Sequence, residues 1–222
     1  MRIELSGLPS YSYPGMDVLE SVRRRISRKE RTTSEISRET GVPRWKVRAA
    51  LSILTYLKVV SRTKRGRSIT YKGRRASIRR AFLSDERIGK IIVAGVSDSK
   101  ILRGESTRAK RLNYCLRMAS DLGIVSRVGR RRSYRFTEEG SREVLGSLVR
   151  ALLAGSKDGV ISMSDLRREL GELGMSRELF DELMPRALSR FRLSPAPASV
   201  DSVRRDCLVD DRGRAIYFVG LR

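Results

Sequence analysis

The side chains whose types and spacing could do chemistry in this chain are cationic, and the chemistry they offer is the neutralisation of phosphate. Lys64, Arg65 and Arg67 surround Gly66, and Arg130, Arg131 and Arg132 follow Gly129, so two basic tips stand on glycine-bearing turns. Arg62 and Arg127 precede those tips at matching positions. A second set has helical spacing: Arg44, Trp45, Arg48 and Ser52, and then Arg108, Lys110, Asn113, Tyr114 and Arg117. Asn113 has the geometry to pair with adenine in a major groove, and equally to bond backbone or water. Trp45 could touch bases or sugar, or lie under the N-terminal arm or a neighbouring domain.

Other chemistries have little to work with. The chain holds no histidine, and its two cysteines, Cys115 and Cys207, lie far apart without a Cys-x-x-Cys. That argues against a disulfide framework, a zinc site or imidazole catalysis. Neither a Gly-Lys-Thr phosphate loop nor a Gly-x-Ser-x-Gly elbow occurs. The expectation is a binding protein with no cofactor and no metal, not an enzyme.

The formal charge of +23 and a pI near 11.2 point to a polyanionic partner. Residues 1–80 hold 21 Lys+Arg against 6 Asp+Glu, residues 81–140 hold 13 against 7, and residues 141–222 hold 14 against 12. The excess therefore falls from +15 through +6 to +2 along the chain, so the first two thirds carry the polyanion-binding potential. No leader and no apolar run near the roughly 20 residues of a membrane span occurs, so a soluble, cytoplasmic protein without a membrane partner is expected. The single asparagine, absent glutamine and abundant arginine fit a thermophile, or a GC-rich genome.

The elements that must position these cations announce themselves by local signals. Residues 1–15 read as an arm, packed on a domain or a partner, or else entering a minor groove. From about Asp17 a helix carries Val18, Leu19, Val22 and Ile26 on one face, with Arg23, Arg24, Arg25 and Arg28 on or near the solvated side. Thr32 and Glu35 have the spacing of a capping box, Gly41 ends that helix, and Pro43 suits the first turn of the next. Val47, Ala50, Leu51 and Leu54 form the buried face, leaving Trp45, Arg48, Ala49, Ser52 and Tyr56 outward. Two short strand patterns then flank the tip at Gly66.

A shift of 65 positions restores this pattern without a gap. Val47, Leu51, Val59, Val60, Ser61, Arg62, Arg65, Arg67, Ser68 and Tyr71 fall on Leu112, Leu116, Ile124, Val125, Ser126, Arg127, Arg130, Arg132, Ser133 and Phe136. The stretch Gly123-Ile124-Val125-Ser126-Arg127 resembles the Gly-Leu-Val-x-Arg wing entry of the winged helix-turn-helix superfamily of prokaryotic regulators. Tyr134-Arg135-Phe136-Thr137-Glu138-Glu139-Gly140 likewise resembles the Tyr-x-Leu-Thr-x-x-Gly wing exit. Lys58 stands where the first copy should have the glycine, which leaves that helix end less defined. The resemblance covers roughly residues 15–140. It implies a mainly α fold with small β-hairpin wings (α+β), in tandem copies, and nucleic-acid binding as the usual use.

The organisation expected is an arm (1–15), a first winged helix with a helical connector (16–83), a second (84–140, with a short helix near Asp98–Arg103) and a winged-helix-like third domain (141–222). In the third, Ser162 and Asp165 box a helix start. The next helix exposes Glu178, Asp181 and Glu182 and is kinked by Pro185, and a hairpin through Leu208, Val209 and Ile216–Val219 closes the chain. Acids where a reading helix would lie suit a protein partner or a second copy of the chain. The leading expectation is a double-stranded DNA-binding transcription regulator with a third domain for assembly. The alternatives are a winged-helix scaffold in a multiprotein complex and a structured-RNA-binding protein.

Overall fold

The structure is a computed structural model that describes residues 8–9, 12–27, 29–66, 68–98, 107–129, 133–195, 207–209 and 213–221; for residues 65, 107, 108, 110 and 195 it describes the backbone alone. The fold is mixed α+β with small antiparallel sheets. It divides into two compact units, one from Glu4–Ile88 with Ile101–Leu122 and one from Met1–Ile3, Gly89–Lys100 and Gly123–Arg222. Among the described residues no helix is long and apolar enough to cross a membrane.

In the first unit, helices α1 (Met16–Ile26), α2 (Thr33–Thr40) and α3 (Arg44–Tyr56) pack on one another. Val18, Leu19, Val22 and Ile26 of α1 meet Ile36 of α2 and Val47, Ala50, Leu51 and Leu54 of α3 in a closed core. The start of α2 is fixed by the capping box: the Glu35 N–H donates to Thr32 Oγ1 at 3.3 Å, and the Thr32 N–H donates to Glu35 Oε2 at 2.7 Å. Gly41 ends α2 in the left-handed conformation, φ 69°.

Strands β1 (Val60–Arg65) and β2 (Ser68–Gly73) form an antiparallel hairpin in register from Val60↔Gly73 to Arg65↔Ser68. Arg31 adds a single bridge on β2, its N–H and C=O exchanging hydrogen bonds with Tyr71 at 3.1 and 2.9 Å. Helix α4 (Ile78–Leu83) starts at the Ser77 cap.

Helix α5 (Glu86–Ser97) begins in the first unit and ends in the second; Asp85 Oδ1 accepts the N–H groups of Arg87 and Ile88 at its start. The expected short helix near Asp98–Arg103 falls almost wholly outside the described residues. Helix α6 (Thr107–Asp121) belongs to the first unit, whereas the hairpin that follows it, β3 (Val125–Val128) with β4 (Ser133–Phe136), belongs to the second.

Lys58 adopts φ 57°, among the described residues the one non-glycine with positive φ. Its N–H reaches the Thr55 carbonyl at 3.0 Å and the Val59 N–H reaches Leu54 at 2.9 Å, the paired bonds of a Schellman ending. The end of α3 is thus well defined despite the missing glycine, because the hydrogen bonds outweigh the roughly 1 kcal/mol cost of a left-handed lysine.

In the second unit, α7 (Glu138–Gly155), β5 (Val160–Ser162), α8 (Met163–Glu172), α9 (Arg177–Ala187), β6 (Arg192–Pro195), β7 (Leu208–Val209) and β8 (Ala215–Gly220) surround a core of Leu145, Leu148, Leu166, Phe180, Met184 and Val219. The sheet runs β5-β8-β6, with β7 also pairing β8. The closing pair Leu208↔Ile216 and Val209↔Ala215 is present, but β8 has longer partners in β5 and β6. Ser162 caps α8 by accepting the Asp165 N–H at 3.0 Å, and α9 runs through Pro185 to Ala187.

Candidate nucleic-acid interface

One cation-bearing face of the first unit is built from α3 and the β1–β2 hairpin. Helix α3 buries Val47, Leu51 and Leu54, and helical geometry then turns Arg48 and Trp45 outward. Ala49 and Ile53 are buried too, at 1% and 0% exposure, so the outward face is narrower than the spacing predicts. Ala49 is corrected from that face to the core. Arg44 Nη2 donates to Ser34 Oγ, tying the start of α3 to α2.

Arg48 and Ser52 of α3, Arg62, Ile69 and Tyr71 of the hairpin and Thr33 of α2 line one open cleft. Arg62, Lys64 and Arg48 are exposed and Ser52 is half-buried. Neither α3 nor either strand carries an acidic residue. Trp45 is 60% exposed, with Lys46 Nζ 5.6 Å from the ring centroid. Helix α3 begins at Pro43 without a side-chain cap, which leaves its first N–H groups open to an anionic oxygen. The motifs and spacing of the sequence do not mark Lys46 or Thr33. The proximity of Lys46 to Trp45 was legible there; that of Thr33 to the hairpin was not.

The second set of helical candidates behaves differently. Tyr114, expected outward on α6, is 2% exposed and cannot meet a duplex. It lies beside Cys115 and within electrostatic reach of Tyr56 and Asp85, and burial pushes its hydroxyl far above the usual tyrosine range. The same helix holds the arm: Tyr13 donates to Asp121 Oδ2 at 2.8 Å and Arg117 sits 6.0 Å over the Tyr13 ring. Just past the end of α6, the Leu122 carbonyl accepts from Arg79 Nη1 of α4 at 2.6 Å. Of the two readings of the arm, packing on a domain holds for Leu8 and Tyr13, both buried.

Asn113 Nδ2 donates to the Ala109 carbonyl at 2.9 Å, the backbone alternative to a base contact. Arg117 remains exposed, so of the α6 candidates whose side chains are described it alone is both charged and solvent-facing. The side chains of Arg65, Arg108 and Lys110, and all of Arg67, Arg130, Arg131 and Arg132, lie outside the described residues. Arg127, on β3 in the second unit, is exposed.

Tyr56, read as outward on α3, instead donates to Asp85 Oδ2 at 2.7 Å under the Arg87 guanidinium, 5.5 Å from its ring. Burial, then that hydrogen bond, raise its pKa above the usual range. On α9 of the second unit Glu178, Asp181 and Glu182 are exposed as expected, with Asp181 accepting from Arg167 at 2.8 Å. No protein-family profile matches the chain, and no curated protein does.

Proposed function

We propose that the protein binds double-stranded DNA through the face of α3 and the β1–β2 hairpin, as a transcription regulator of the winged helix-turn-helix kind. One observation carries this: Arg48 from the helix and Arg62 from the hairpin line the same cleft, on three elements without an acid. A helix laid in a major groove beside a basic hairpin on the backbone has this arrangement. The element order supports the winged-helix reading: helix, single bridge, two helices and a hairpin in the first unit, and the same order with a full third strand over α7–β8.

Because α6 spends its Tyr114 face on packing, the reading centres on α3 as the principal reader. The test is selection from random duplex DNA near physiological salt, with Arg48→Ala/Arg62→Ala as control. Enrichment of a defined motif is expected, and with six phosphates engaged log affinity falls with log salt at a slope of about −5, flattening by about 2 in the double variant. Binding without any motif, and with an unchanged slope in the variant, would refute the assignment and direct attention to structured RNA.

The exposed acids of α9 favour a second role for the third domain, contact with a protein or another copy of the chain, because phosphate would be repelled there. Light scattering of wild type against Glu178→Lys/Glu182→Lys tests self-association: dissociation of an oligomer is the result expected for a second copy.

A further inference from the structure

Trp45 is the one tryptophan of the chain, and its indole stands 60% exposed in the first turn of α3. An indole offers one of the largest apolar surfaces a side chain can present, and burying it against a partner would contribute to binding. Arg44, Lys46 and Arg48 flank it, Lys46 Nζ lies 5.6 Å from the ring, and α3 has no acid, so a partner that suits it is anionic close to an apolar patch.

On an intact duplex the sugars and one base-edge group meet that description, and of these only the base edge differs with sequence. The base faces are closed by stacking, and in the major groove the apolar group on a base edge is the C5-methyl of thymine. The first turn of a reading helix is also the part that reaches base edges.

We infer that Trp45 packs on a thymine methyl and is the specificity-determining contact of the α3 face. The inference rests on the duplex-DNA reading above and deepens it. It also supplies a reason for preferring DNA to RNA, since uracil lacks that methyl.

The experiment uses the full chain and the duplex recovered by the selection, with each thymine replaced singly by deoxyuridine. At one position loss of the methyl weakens wild-type binding about fourfold, the worth of one buried methyl-sized group. Trp45→Ala binds the two duplexes equally while keeping the salt slope, and Trp45→Phe keeps part of the discrimination and stands in should the alanine variant fold poorly. Trp45 is the one tryptophan, so emission excited at the red edge of the absorption band, where tyrosine does not absorb, reports it alone, and saturation with the selected duplex shields it from acrylamide.

Equal binding of every deoxyuridine duplex, retained discrimination in Trp45→Ala, or unchanged acrylamide access each overturns the inference. The DNA reading then still stands if Arg48→Ala/Arg62→Ala has lost affinity for the motif. If no motif is recovered and the double variant binds bulk DNA like wild type, that reading fails and the inference falls with it.

Discussion

Replacing Gly140 with alanine should destabilise the second unit, although alanine is the better helix former. Gly140 lies in the first turn of α7, where a Cβ would stand 1.9 Å from the Ile124 carbonyl oxygen, 2.6 Å from its carbon and 2.7 Å from its Cα. All three are backbone atoms, so α7 must move by more than an ångström from the segment leading into β3. That movement strains the Thr137 N–H bond to the Ile124 carbonyl at 3.0 Å and the Thr137 hydroxyl bond to Gly123 at 2.7 Å. Two hydrogen bonds at about 1 kcal/mol each and overpacking of 1 kcal/mol or more outweigh a helix-propensity gain of about 1 kcal/mol. The net loss is about 2–4 kcal/mol. Gly171 of α8 provides the control, because a Cβ there meets nothing within 4 Å. Gly171→Ala should raise stability by about 0.5–1 kcal/mol. Urea unfolding followed by far-ultraviolet circular dichroism measures both. A Gly140→Ala variant as stable as wild type would refute the argument from close approach.

Lys58→Gly should relieve the left-handed lysine and stabilise by about 0.5–1 kcal/mol in the same assay; a loss would mean that the lysine side chain contributes more than its backbone conformation costs. Tyr13, Tyr56 and Tyr114 all have raised pKa values, caused first by burial. Their stabilisation is complete below the unfolded value of 10.0 and is lost as pH rises beyond it, because the unfolded chain releases protons that the folded one retains. The urea midpoint should therefore fall above pH 10, less steeply in Tyr56→Phe, and an identical slope in that variant would contradict the burial of its hydroxyl. Thr32→Ala should cost about 1 kcal/mol through the lost cap. Glu35, held below the usual carboxylate range by the Thr32 N–H and hydroxyl, contributes above its unfolded pKa and loses that contribution as pH falls through the folded value. Protonating Glu35 should thus matter less to the variant, which pH-dependent urea midpoints would show.

What the amino-acid order determined by itself is what closes within a few residues or within one helical turn. The Thr32–Glu35 box, the Gly41 ending, the apolar stripes of α1 and α3, the Ser162 cap and the acids of α9 all follow from such short-range geometry. The Thr137…Gly140 spacing was legible as a pattern, but its cause, one backbone lying against another, required the fold. The 65-residue repeat was legible as well, yet its two hairpins pair differently. Val60 faces Gly73, whereas Val125 faces Phe136, a shift of two residues that preserves every side chain's face and therefore leaves the alternation unchanged. Strands β5 and β6, three and four residues long, carry too little periodicity to be seen.

In the candidate site, the cations and Trp45 could be named from the chain, but which of them share a surface could not. Helical spacing puts Ala49 and Tyr114 opposite the main apolar stripe. Only the tertiary structure, which puts α6 in the same unit as α3 and sets Tyr114 near Tyr56 and Asp85, decides that both are buried. Burial is a property of what packs against a face, and that partner lies far away in sequence.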